Sequence, residues 1–157
     1  MNEQQSELKG VKGWLLLLCI NLSILDPFAN LFNLAIGTHL GRQYFEQNPA
    51  LQKLMVINGV CSIALAVYSI YAGISLWRVL SNAVITAKKY LGAAFAYSIL
   101  SLFLPHLIGL SEEIQKEVGA TSLFNSFVTA LYLYAWYQYL QRSKRVKATY
   151  IAIGSEQ

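Results

Sequence analysis

The chain has 157 residues, 55% of them hydrophobic and only 13% charged, with a mean hydropathy of +0.43. A soluble core of this size has no use for so much apolar surface, so the excess is expected to face lipid. The net charge of +4 collects at the edges of apolar runs rather than on one soluble face, which argues against nucleic acid as a partner and for the lipid bilayer.

Residues 1–12 are polar at their start and are expected to form a mobile cytoplasmic N-terminus. A first helix is predicted over about residues 13–36. Lys9 and Lys12 before GWLLLLCINLSIL have the look of a secretory signal, but no small-x-small cleavage site follows Leu25, so the helix is read as uncleaved. Asp26-Pro27 interrupts the apolar run without ending it and is expected to kink the helix.

A second helix is predicted over about residues 53–79, with Asn48-Pro49 as a cap and first-turn proline that lets it begin earlier, in the headgroup zone. A third is predicted over about 90–110. Ser111, Glu112 and Glu113 then read as the cap of a short external helix ended by Gly119. A fourth long helix follows over about 120–141, and residues 142–157 form a basic cytoplasmic tail. Each long run approaches or exceeds the ~20 residues that cross a ~30 Å hydrocarbon core. The fold class expected is all-α, an integral membrane four-helix bundle over residues 13–141 with both termini cytoplasmic.

Charge sets that orientation. Lys9, Lys12, Arg78, Lys88, Lys89, Arg142, Lys144, Arg145 and Lys147 fall on one side, and only Arg42, Lys53 and Lys116 on the other, accompanied by Glu46, Glu112, Glu113 and Glu117. Cytoplasmic loops retain Lys and Arg. Trp14, Trp77 and Trp136 fall near the cytoplasmic ends of helices one, two and four and are read as interfacial anchors.

Ser23, Asp26, Asn30 and Asn33 recur at spacings of three and four, on one face of the first helix. Asp26 is the acidic residue well inside an apolar run, where a carboxylate needs a partner, a proton or water. Counted from the predicted helix starts, Asp26 and His106 share a depth in the outer half, with Asn58, Ser62, Ser122, Asn125, Ser126 and Thr129 at similar depth. The candidate intramembrane polar site is Asp26, Asn30, Asn33, Asn58, His106 and Asn125, but the reading placed ahead of a proton or substrate site is that these groups hydrogen-bond the helices together. Cys19 and Cys61 read as reduced packing residues, His39 and His106 are far apart, and no metal or other cofactor is expected. A Ser/His/Asp triad assembled from Asp26, His106 and a serine lacks any nucleophile-elbow pattern.

Gly13-Trp14-Leu15-Leu16-Leu17, Pro27, Tyr139 and Ser143-Lys144-Arg145-Val146-Lys147-Ala148-Thr149-Tyr150 carry a resemblance to the bacterial membrane family catalogued as domain of unknown function 2569. It spans about residues 10–150. The resemblance implies a small multi-pass protein of the bacterial inner membrane and brings no activity, substrate or catalytic residue with it.

Three functional readings follow, in this order. The first is a non-enzymatic accessory or interaction protein, meeting a membrane-protein partner or a second copy through its helices, and anionic lipid headgroups through Arg142, Lys144, Arg145 and Lys147. The second is a small proton-coupled transporter switching on Asp26. The third is an intramembrane hydrolase.

Overall fold

The computed structural model describes residues 10–45, 48–110 and 112–151, and for 43, 112–121 and 151 the backbone alone. The expectations placed on residues 1–9, on Glu46, on the Ser111 cap and on residues 152–157 lie outside the described residues. Every regular element described is helical.

The first helix, α1 (Trp14–Gly41), is 28 residues long and does not break at Asp26-Pro27. Its middle turn, Asn21–Leu25, is widened into a π-helix instead. Pro27 has no N–H for the carbonyl of Ser23, and the chain absorbs that gap in the preceding turn. The Asp26 N–H then reaches back five residues to the Asn21 carbonyl, which frees the carbonyl of Leu22. Ser69 of the next helix supplies the missing donor, its hydroxyl 2.7 Å away. The disturbance expected at Asp26-Pro27 takes the form of a bridged π turn.

A 3₁₀ turn (Arg42–Tyr44) leads to α2 (Pro49–Trp77), which starts at the proline as anticipated. Asn48 occupies the cap position, but its backbone carbonyl, not its side chain, takes the Leu51 N–H at 3.0 Å. Helix α3 (Ala83–Leu107) begins well before the predicted residue 90, so Lys88 and Lys89 lie inside it. A helix satisfies its own backbone in water and in lipid alike, so a polar boundary in the sequence need not be a helix end. Helix α4 (Glu112–Arg142) likewise runs straight through Gly119, correcting the expectation of a separate external helix. An interior glycine costs about 1 kcal/mol relative to alanine but keeps its hydrogen bond.

Helices α2 and α3 stop in the same way. The Val79 and Leu80 N–H groups turn back to Leu76 and Ser75, and those of Gly109 and Leu110 to His106 and Pro105. The pivot is left-handed at φ 50° for Val79 and 75° for Gly109, the arrangement that closes a helix with a Schellman motif.

Helices α1, α2 and α3 are each long and apolar enough to cross a membrane. Consecutive helices pack on one another, α1 on α2, α2 on α3 and α3 on α4. Helices α1 and α2 approach closely at Gly73, where a Cβ would lie 2.8 Å from the backbone nitrogen of Ser23. A buried apolar cluster of Leu15, Leu18, Leu22, Leu76, Ala87, Leu91, Leu133 and Leu140 fills the bundle toward the end where the termini lie. Large apolar side chains such as Phe28, Phe32, Phe103, Phe124 and Phe127 project outward with more than half of their surface uncovered. Such a surface suits hydrocarbon, not water.

The basic ending is folded. A short helix, α5 (Lys144–Val146), and a π turn (Lys147–Ile151) return along the base of the bundle. The Ser143 hydroxyl caps α5 by accepting from the Val146 N–H at 3.4 Å. Val146, Thr149 and Tyr150 are buried, the first and last joining the apolar cluster, while Lys144 and Lys147 stay exposed. Thr149 accepts from the Gly10 N–H at 3.2 Å, so the two ends of the described chain meet.

Candidate functional site

The π turn determines what surrounds Asp26. In an α-helix residues five apart point in different directions, whereas a π turn returns to the same side after about five. Asn21 therefore stands over Asp26 and donates to its Oδ1 at 3.1 Å. Tyr132 of α4 donates to the same oxygen at 3.3 Å, and Asn21 also donates to the Tyr132 hydroxyl. Tyr90 of α3 donates to Oδ2, also at 3.3 Å. Three helices thus meet at one carboxyl group, and the groups bonded to its oxygens are neutral.

Widening the turn also moves Ser23 off the predicted face. Its hydroxyl donates to the Cys19 carbonyl at 2.6 Å and accepts from Trp77 Nε1 at 3.4 Å, against α2. Beyond the turn the α-helical spacing resumes. Asn30 donates to the Asp26 backbone carbonyl at 2.9 Å, and Asn30 and Asn33 share the Asp26 side of α1.

Two adjoining cavities follow from there. One, of about 400 Å³, has Asp26, Tyr90 and Tyr132 among its walls. The other, of about 490 Å³, reaches Asn58, Leu54, Gly37 and Pro105. Both are lined by Asn30, Asn33, Tyr97, Ser101, Ser122 and Asn125, so they form one polar cleft. Gly37, Leu54 and Pro105 lie near the ends of α1, α2 and α3 remote from the termini. From Gly37 to Asp26 is about 17 Å along the helix. At its far part Tyr97 donates to Asn58 Oδ1 at 2.9 Å, tying α3 to α2. The volume suits a small organic solute or a file of waters.

Of the predicted site residues, Asp26, Asn30, Asn33, Asn58 and Asn125 line this cleft. His106 does not; it is exposed on the last turn of α3 and lines neither cavity. Because α3 begins at Ala83, the residue level with Asp26 is Tyr90, and His106 lies about 24 Å further along. The shared depth assigned to Asp26 and His106 is corrected accordingly, and Asp26 belongs to the half of the bundle nearer the termini. Tyr90 and Tyr132 carried no sequence signal as partners because they come from α3 and α4, whose register against α1 no local spacing fixes.

The predicted anchors separate. Trp14 is 69% exposed and Trp77 42%. Trp136 instead packs edge-on between Tyr132 and Tyr139, at 6.3 and 5.8 Å, against the apolar cluster. Of the tail cations, Arg142, Lys144 and Lys147 are exposed and Arg145 is half-buried.

Residues 8–151 match the family described as Protein of unknown function (DUF2569). No curated protein and no solved structure matches the chain.

Proposed function

Since this chain belongs to the DUF2569 family, whose description assigns no activity, we propose from the site itself that it is a non-enzymatic carrier in the bacterial inner membrane. It crosses four times with both termini cytoplasmic, and a small polar solute or a proton enters its cleft, with Asp26 as the group that changes charge. The observation that carries this reading is the Asp26 carboxyl group, held by Asn21, Tyr90 and Tyr132 where the cleft reaches furthest toward the termini.

A tyrosine hydroxyl both donates and accepts. Tyr90 and Tyr132 donate to the two carboxylate oxygens, and when the acid is protonated the tyrosine on the protonated oxygen rotates its hydroxyl to accept while the other still donates. No counter-ion binds Asp26 among the described residues, so neither state leaves a partner cation stranded. Helix dimensions support the fourth crossing. Helix α4 has 31 residues and exposes Leu123, Phe124, Phe127 and Leu131 as the other three helices expose their apolar faces. The meeting of Gly10 with Thr149 supports an even number of crossings, and the bias of Lys and Arg supports a cytoplasmic side for both. An accessory role through contacts is the second reading, favoured by the exposed Arg142, Lys144 and Lys147.

Reporter fusions after Lys53, Lys89, Gly119 and Lys147 should read outside, inside, outside and inside; an external reading at Lys147 removes the arrangement. In proteoliposomes under an imposed potential, wild type should take up protons faster than empty vesicles, and Asp26→Asn should return to the empty-vesicle rate. Equal uptake by wild type and variant removes the carboxylate switch.

A further inference from the structure

A second cavity, on the outer face where α3 meets α4, is lined by Leu91, Gly92, Phe95, Leu133, Tyr134 and Tyr137, with a volume of about 230 Å³ and almost wholly apolar walls. It shares only Leu133 with the cleft that holds Asp26. The groove is open at Gly92, where a Cβ would meet nothing within 4 Å, so a long side chain there would enter it. Phe95 lies about 10 Å along α3 from Lys88, a length comparable to part of one acyl chain.

What distinguishes this groove from ordinary lipid-facing surface is the cation at its mouth. Lys88 Nζ stands 5.6 Å from the centre of the Tyr137 ring, which forms one wall. A cation held over a ring is attracted by the ring's face, and an ammonium carries three donors. The same lysine lies within the basic segment of α3 that marks the edge of the bilayer.

We infer that this groove is a binding site for one anionic phospholipid, its acyl chain lying between Gly92, Phe95 and Tyr134 and its phosphate meeting Lys88. A zwitterionic lipid fills the groove equally well but gains less at Lys88, so the site selects by charge. The inference depends on the membrane placement of α3 and not on any role of Asp26.

The test is native mass spectrometry of the detergent-purified protein titrated with phosphatidylglycerol and phosphatidylcholine carrying identical acyl chains. Wild type should retain roughly fivefold more phosphatidylglycerol, the discrimination one interfacial lysine supplies. Lys88→Gln, which keeps a side chain of similar length at this half-buried position and removes the charge, should bring the two lipids together. Gly92→Leu should lower retention of both. Undiminished preference in Lys88→Gln overturns the inference, as does unchanged retention in Gly92→Leu. A dimer abolished by Gly92→Leu with lipid retention unchanged assigns the groove to a second copy and also overturns it.

Discussion

The phenolic hydroxyl of Tyr150 donates to the backbone carbonyl of Leu76 at 2.7 Å, closing the C-terminal segment onto the last turn of α2. That carbonyl also accepts from the Val79 N–H, within the motif that ends the helix. The basic ending is thereby a structural part of the bundle, and its residue order has a physical reading. Ser143 caps, Val146 and Tyr150 bury, Thr149 receives Gly10, and Lys144 and Lys147 face outward.

Removing the hydroxyl in Tyr150→Phe should lower stability by about 1 kcal/mol, and removing the ring in Tyr150→Ala by about 3–5 kcal/mol. Thermal unfolding in mild detergent measures both. Burial, and secondarily the nearby Cys19, push the Tyr150 hydroxyl above the ordinary tyrosine range. The folded state therefore holds the proton more tightly than the unfolded one, so the contribution is intact below about pH 10 and declines as pH rises beyond it. The Phe variant should lose that part of the alkaline slope; a slope identical to wild type would detach Tyr150 from it.

Gly73 is predicted to be intolerant where Gly92 is tolerant. A Cβ at Gly73 would meet Ser23 backbone and side-chain atoms at 2.8 to 3.0 Å, and none of these is the far end of a flexible chain. Gly73→Ala should therefore force α1 and α2 apart and lower stability by about 1–3 kcal/mol. Gly92→Ala meets open space and should be neutral or raise stability by up to about 1 kcal/mol through helix propensity. Equal melting temperatures for the two variants would remove the close approach at Ser23.

The helical class, the membrane placement and the positions of Asp26, Asn30, Asn33, Asn58 and Asn125 were legible because apolar length and helical spacing are local properties. Two things were not. Helix ends were misread at Lys88 and Lys89, where polarity was taken for a boundary, and at Gly119, where a glycine was, because backbone hydrogen bonding continues through both. The end of α2 was placed at residue 79, two residues beyond Trp77, although Val79, a β-branched residue, occupies the left-handed position that glycine usually marks. Nor does helical spacing foresee a π turn. Counting by threes and fours placed Ser23 beside Asp26 and left Asn21 unnoticed, and the widened turn before Pro27 puts Asn21 there instead. The partners from α3 and α4 depended on long-range register, which the early start of α3 shifted by about two turns.

The central claim is that Asp26 gains and loses a proton while Tyr90 and Tyr132 hold it in both states. Infrared difference spectra of the protein in bilayers, recorded between neutral and acid pH for wild type and Asp26→Asn, address it directly. A protonated-carboxyl band should appear on acidification in wild type, be missing from Asp26→Asn, and shift in frequency in Tyr90→Phe and in Tyr132→Phe. Identical acid-induced carboxyl spectra for wild type and Asp26→Asn would contradict the account.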